Sequence, residues 1–314
     1  MGFFSYFMRP RRAVVSPPQP AVAEVERDFP YQMGSVRIKL PPGHRLPDYQ
    51  RGNPRYDRFL PVLASVMPHN SLVIDVGANV GDTYASMVVE NPGLAFVCVE
   101  PDESFFSLME ENVHSVLGQL PVHVPPPMLL NKFVGEGEVK GTLVKRDGSA
   151  TLVETDVGAI QRYITLDEIL AMKAGQGHFS HILIKSDVDG FDHQVIHSFN
   201  RHLDQPVLWF FEAQTNERNQ REAFAKAIDR LSEKLGCEFA VFDNFGALMC
   251  RDVSAKVVKS LLDYVDRQNI GADTRTIWYL DVLAYSVECV ALANDALERY
   301  QAGIVSKPYA AAPV

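Results

Sequence analysis

The chain has 314 residues, of which 46% are apolar and 22% charged, the balance of a soluble globular protein built as one large domain or a domain with extensions. Its net charge of −9 argues against broad nucleic-acid binding. The four cysteines, Cys98, Cys237, Cys250 and Cys289, form no CxxC pair, which excludes a zinc or disulfide frame and points to reduced thiols in the cytoplasm.

The chain opens on "MGFFSYFMRPRR", where four aromatics precede three arginines with no acid among them. A secretory signal has the reverse order. Residues 1–27 therefore read as a flexible tail, with residues 1–12 as the segment for a weak membrane-surface contact, peripheral at the inner face. No apolar run approaches the roughly 20 residues that span a bilayer. Residues 28–70 are expected to form an approach segment packed on the catalytic domain: "SVRIKL" alternates like a strand, and "RYDRFLPVLASVM" reads as a helix despite Pro61.

The main domain is expected over 71–285. "SLVIDVG" reads as a buried strand, "NVGDTYASMVVE" as a helix opening on a glycine turn, and "GLAFVCVE" as a second strand ending at Glu100. "PDESFFSLMEENVHSVL" is a helix with proline at its start and acids in its first turn. This is a β-α-β unit, so the strands are expected to be parallel. Residues 121–160 suggest a third strand followed by irregular structure. "TLDEILAMK" is helical, "HILIKSDVDG" a strand and "FDHQVIHSFN" a helix. "PVLWFFEAQ" is a strand and "NQREAFAKAIDRLSEKLG" an amphipathic helix stopped by Gly236. "EFAVFDNFG" and "TIWYLDVLAYS" complete the strands, and a helix and tail are expected over 286–314. Alternating strands and helices mean an α/β fold with its ligand at the carboxyl ends of the strands.

The glycine turn narrows the ligand. Gly77-Ala78-Asn79-Val80-Gly81 lacks the middle glycine of the dinucleotide fingerprint, and no Lys-Ser/Thr follows as in a P-loop. Asp75, just before the turn, would repel a pyrophosphate and suits the sulfonium and ammonium of S-adenosylmethionine. Glu100 stands where a carboxylate takes both ribose hydroxyls. An NAD- or nucleotide-sugar-binding enzyme with a degenerate turn stays open as an alternative, as does a scaffold that keeps the fold without catalysis.

Further on, "KSDVDGFD" gathers Lys185, Asp187, Asp189 and Asp192 at one strand end, and the next strand ends at Glu212. A hydroxyl is a poor nucleophile at neutral pH and needs a positioned base or a metal. Asp187 is the first candidate base and His193 the second, unless Asp187 or Asp192 merely caps the next helix. Asp187 with Glu212 is the candidate pair for Mg²⁺ or Mn²⁺. "DVDGFD" is not an EF-hand, because its glycine is at the fourth position and Ser198 stands at the twelfth. "HQVIH" has Gln194 where a zinc peptidase needs glutamate.

The stretches "VIDVGANVGD", "FVCVEPDESFFSLMEENV", "YITLDEIL", "ILIKSDVDGFDHQVI" and "VLWFFEAQ", roughly residues 71–214, together resemble the FkbM-type family of S-adenosylmethionine-dependent methyltransferases. "WYLDVLAY" fits the closing strand of that family. The resemblance implies a class I methyltransferase Rossmann-like fold: a seven-stranded mostly parallel sheet, its last strand antiparallel, with helices on both faces. It implies O-methylation of a small molecule or glycan, as in polysaccharide biosynthesis or secondary metabolism, with no nucleic-acid partner. Carried over by position, Asp75, Gly77, Asn79 and Gly81 would line the methionine moiety and Glu100 the ribose; Asn112 belongs to the same motif. The family's usual "DVEG" is "DVDG" here, so Asp189 is one methylene shorter, and Asp192 is short in the same way.

Overall fold

The computed structural model describes residues 28–146, 148–154, 159–175, 177–201, 203–215, 218–269 and 276–303. The tail over 1–27, with its expected membrane contact, lies outside the described residues. Among the described residues no helix is long and apolar enough to cross a membrane.

The chain begins with strands β1 (Phe29–Met33) and β2 (Val36–Leu40), then helices α1 (Leu46–Gly52) and α2 (Phe59–Val66). The β-α-β unit follows as β3 (Leu72–Val76), α3 (Asp82–Glu90) and β4 (Ala95–Val99), and continues through α4 (Glu103–Gln119) to β5 (Met128–Leu130). Next come β6 (Glu138–Arg146), β7 (Ser149–Glu154) and β8 (Ala159–Arg162), then α5 (Leu166–Ala174). The second half holds β9 (Ile182–Ser186), α6 (Asp192–His197), β10 (Val207–Ala213) and α7 (Arg218–Leu235). It closes with β11 (Glu238–Asp243), β12 (Leu248–Val253), α8 (Ala255–Asn269), β13 (Leu280–Tyr285) and α9 (Val290–Gln301).

The main sheet has the order β12-β11-β13-β10-β9-β3-β4-β5. β13 runs antiparallel to both neighbours, while β5, β4, β3, β9 and β10 are parallel. The expected sheet with one reversed strand is thus present, and β12 extends it by a further edge strand paired antiparallel to β11. Strand alternation sends residues to two cores. Val73, Cys98, Leu183, Leu208 and Leu283 meet α2, α3, α4 and α9 on one face. Ile74, Val97, Ile184, Trp209 and Val282 meet α5, α6, α7 and α8 on the other. A sheet buried on both sides explains why β3, β9 and β10 read as continuous apolar runs.

Two helix starts follow their sequence signals. Asp102 caps α4 by accepting from the amides of Ser104 and Phe105. Thr165 and Glu168 form a reciprocal capping box on α5, worth about 1 kcal/mol for such a cap. Residues 121–160 correct the sequence expectation: after β5 the chain does not stay irregular but builds a second, antiparallel sheet in the order β7-β6-β8. The segment 248–269, to which the sequence analysis assigns nothing, holds β12 and α8.

On the opposite side, the β1–β2 hairpin lies against α4. The Asn112 amide accepts from Lys39 N–H at 2.7 Å and donates to the Lys39 carbonyl at 2.9 Å. Gln119 treats Arg37 in the same way, at 2.8 and 2.9 Å. Asn112 also donates to the Val80 carbonyl at 2.8 Å, so one buried side chain ties the hairpin to the glycine turn.

Candidate active site

β3 stops at Val76 because Gly77 takes φ +76°, where side chains are disfavoured, and because the next strand-to-helix loop lies directly against it. A Cβ on Gly77 would sit 2.1 Å from the Asp187 carbonyl oxygen. Asn79 also has positive φ, at 47°, and Gly81, at 81°, opens α3. The turn thus brings backbone rather than side chains to the carboxyl end of the sheet. There it borders a cleft of about 680 Å³.

Gly77, Asn79, Glu100, Phe105, Asp187 and Asp189 line that cleft, with Phe133, Tyr163 and residues of β6 and β7 on its far wall. Glu100 accepts from Asn79 N–H at 2.9 Å through Oε2 and from Asp102 N–H at 2.8 Å through Oε1. Each oxygen keeps a lone pair for a ligand hydroxyl. Burial pushes the Glu100 carboxyl up to about 7, against the pull of those two amides. The β6–β7 turn is held over the cleft from three sides. Asn79 donates to the Gly148 carbonyl at 2.8 Å, Ser149 donates to Asp189 at 2.5 Å, and Lys145 pairs with Asp102 at 2.9 Å. The shortened Asp189 therefore serves this wall, from a backbone at φ 52°.

Asp75 corrects the expectation that it meets a cationic ligand. Strand alternation turns it into the interior, fully buried, where Lys185 stands beside it at the same register of β9. Lys185 Nζ lies 3.0 Å from Asp75 Oδ1 and donates to the Gly77 carbonyl at 3.1 Å. The acid is neutralised from within, and its role is to anchor the lysine that braces the turn. Gly81 likewise shapes the turn without lining the cleft.

Asp187 follows β9 and remains 53% exposed, facing the cleft, with Lys185 at 4.0 Å. It is not a helix cap, since α6 is entered at Phe191 with no side-chain cap. Its position in the concave site, then the negative charges of Asp189, Asp82 and Asp75, push its carboxyl up to about 6 against the pull of Lys185. Asp192 does not cap α6 either; it is fully buried and accepts from Ser186 at 2.6 Å, stapling the loop that carries Asp187. Burial pushes Asp192 up to about 7.

His193 is corrected as a candidate base. Its ring stands edge-on to Phe224, 5.3 Å between centroids, in the contact of α6 with α7, and it does not line the cleft. Burial pushes it down to about 4, which leaves it a neutral packing residue. Glu212 follows the recorded β9–β10 pairing by one residue, which sets it beside Asp187. Burial, then Asp187 and Asp281, hold its carboxyl well above the usual range. Asp187 and Glu212 stand side by side as the two-carboxylate pair expected for Mg²⁺ or Mn²⁺, but among the described residues no group of three histidine, cysteine or carboxylate side chains is arranged to hold a metal ion.

Some residues of this region carry no local sequence signal. Asp57 precedes α2, Asp82 begins α3 and Asp281 is the second residue of β13, yet the charges of Asp57, Asp187 and Asp281 act on one another. Tyr56 and Tyr279 lie beside them, and burial holds both phenols well above their usual range.

Glu100 and Asp192 set a pH dependence. In an unfolded chain carboxyls release their protons near 4, and here both hold them to about 7. The folded chain then binds more protons than the unfolded one, so this contribution to stability is lost as pH rises through 7. His193 acts oppositely, but only below about 6.5, where an unfolded imidazole charges. The thermal midpoint of the ligand-free protein is therefore expected to fall between pH 6.5 and 8, and less so in Glu100→Gln; scanning calorimetry across that window checks it.

Residues 75–239, more than half of the 314, match a family model described as the methyltransferase FkbM domain. No curated protein matches the sequence. Solved structures align only distantly. A precorrin-6y C5,15-methyltransferase from Geobacter metallireducens aligns at 10% identity over 73% of this chain and 87% of its own, with TM-score 0.38. Trm1 from Pyrococcus horikoshii with S-adenosyl-L-methionine aligns at 13% identity over 82% and 61%, with TM-score 0.38. An S-adenosylmethionine-dependent O-methyltransferase from Thermotoga maritima aligns at 13% identity over 74% and 64%, with TM-score 0.38.

Proposed function

The chain belongs to the FkbM methyltransferase family, and on that premise we propose that it is an S-adenosylmethionine-dependent O-methyltransferase acting on a hydroxyl of a glycan, sugar or secondary metabolite. The observation that carries the reading is the pairing of Glu100 with Asp187 across one cleft: a buried carboxylate pre-set by two amides after β4, and an exposed one after β9, on either side of β3.

The residues suit the cofactor. Glu100 has free lone pairs for two ribose hydroxyls, Phe105 offers an aromatic wall, and the side-chain-free Gly77 lets a ligand approach the backbone. When bound, S-adenosylmethionine supplies a methyl group on a positive sulfur. Its transfer to the acceptor oxygen would leave S-adenosylhomocysteine, the carbon–sulfur electron pair staying with sulfur. Asp187 takes the hydroxyl proton. With a pKa near 6 it is ionised at neutral pH yet more basic than an ordinary aspartate, which suits a general base. Lys185, already committed to Asp75 and Gly77, keeps its site without quenching Asp187, 4.0 Å away.

Isothermal titration with S-adenosylmethionine and with NAD tests the reading. Glu100→Gln preserves size and removes one acceptor for a ribose hydroxyl. A hydrogen bond to a charged group is worth about 1.5–3 kcal/mol, so S-adenosylmethionine affinity is expected to fall about ten- to a hundredfold. Unchanged affinity in the variant defeats the ribose assignment, and tight NAD binding defeats the cofactor.

A further inference from the structure

Beside the base Asp187, the ends of two adjacent strands carry carboxylates that the methyl-transfer reading does not use. β10 and β13 pair antiparallel with Glu212 directly opposite Asp281. Both alternate with residues of the α2–α9 core, Phe210 and Leu283, so both project to that one face. Asp187 stands on the other side of Glu212, and Asp57 and Asp82 approach from the loop before α2 and the start of α3. Like charges directly opposite on paired strands oppose pairing.

Glu212 makes the arrangement pointed. It is only 7% exposed, and among the described residues nothing donates a hydrogen bond to it or pairs with it. A buried carboxylate without a donor is costly, and a fold tolerates one where a ligand completes it. The cations nearby do not. Lys185 is held by Asp75 and the Gly77 carbonyl, and buried Arg58 acts on Asp57, whereas the charges that bear most on Glu212 are all carboxylates. No metal-holding group of three side chains exists among the described residues. Neutral hydroxyls would satisfy the lone pairs but would not relieve the mutual repulsion that, with burial, holds the Glu212 and Asp281 carboxyls well above the usual range. Tyr56 and Tyr279, close to each other and to these carboxylates, add aromatic rings at the same place, and such rings attract cations.

We infer that the acceptor carries a protonated amine, seated at Glu212 and Asp281 within the field of Asp57, next to the hydroxyl presented to Asp187. The acceptor class is then an amino sugar or another amino alcohol. This rests on the O-methyltransferase reading for the hydroxyl, but the amine seat stands on its own geometry.

The test uses the full chain saturated with S-adenosylhomocysteine and three probes: D-glucosamine, D-glucose and N-acetyl-D-glucosamine, titrated at pH 7 by ligand-observed NMR. Glucosamine is expected to bind at least about tenfold more tightly than the other two, since one charge-assisted contact is worth about that ratio. Glu212→Gln combined with Asp281→Asn should erase the preference while S-adenosylhomocysteine affinity is unchanged. Asp57→Asn, on a loop, provides a second variant should the double one fail to fold, and it should weaken the preference. Equal binding of the three sugars overturns the inference, as does a preference that survives in the variants. Displacement of glucosamine by Mg²⁺ with loss of S-adenosylhomocysteine unaffected overturns it in favour of a metal. Failure to bind S-adenosylhomocysteine would instead count against the methyltransferase reading, and the glucosamine preference is then read on the ligand-free chain.

Discussion

Asp187→Asn is expected to lower turnover by about 10²–10⁴-fold, the usual worth of a positioned proton acceptor, with little change in S-adenosylmethionine affinity. The asparagine keeps the size and loses the charge. The side chain faces the cleft and caps no helix, so the substitution removes basicity without disturbing α6. Affinity should hold because the ribose contacts belong to Glu100 at the end of β4, with β3 between it and the strand that leads to Asp187. The wild-type rate carries a signature of its own: only the ionised carboxylate accepts a proton, so kcat/KM should rise with pH through about 6 and then level. In Asp187→Asn that rise should vanish. Methyl transfer followed by isotope incorporation, on any acceptor that wild type turns over, measures both. Near-full turnover in the variant would remove Asp187 from the chemistry.

Gly77→Ala is expected to abolish measurable S-adenosylmethionine binding and to lower the thermal midpoint by several degrees. Two costs combine. The backbone at φ +76° disfavours any Cβ by about 1–2 kcal/mol. The added carbon would also stand 2.1 Å from the Asp187 carbonyl oxygen and 3.0 Å from Val188 Cγ1. The first neighbour is backbone, so relief requires moving the loop that carries Asp187. Gly137→Ala separates the terms: its φ is +80°, but nothing lies within 4 Å of the added carbon. It should show the conformational cost alone and leave binding intact. If Gly77→Ala proves no worse than Gly137→Ala by calorimetry and thermal unfolding, the close approach of the two loops imposes no constraint.

The parts legible in the sequence were those whose signal is local. The buried strands around Asp75, Lys185 and Glu212 are apolar runs, and the helix after Asp102 announces its own cap. Residues 138–162 were not legible because their sheet lies on the surface: Val144, Val153 and Ile160 are 51%, 45% and 62% exposed, so no apolar face marks a period. α8 does carry a local signal, since Val258, Leu262 and Val265 recur at helical spacing and are all buried. In the site, the sequence shows two acids and a lysine but not their register. Only the alignment of β3 with β9 reveals that Lys185 neutralises Asp75. Asp57 and Asp281 are more than two hundred positions apart, and nothing short-range brings them together.

The paired amides of α4 have a consequence for how the molecule behaves in a crowded solution. A two-stranded hairpin normally offers its outer backbone as a template on which another chain can add a strand, the first step toward aggregation. Here Asn112 and Gln119, two turns apart on one helix, fill both the donor and the acceptor of Lys39 and Arg37, alternate residues along β2. The helix imitates a neighbouring strand with side chains alone. The edge is already occupied, so it cannot recruit another polypeptide, and the protection costs no additional strand.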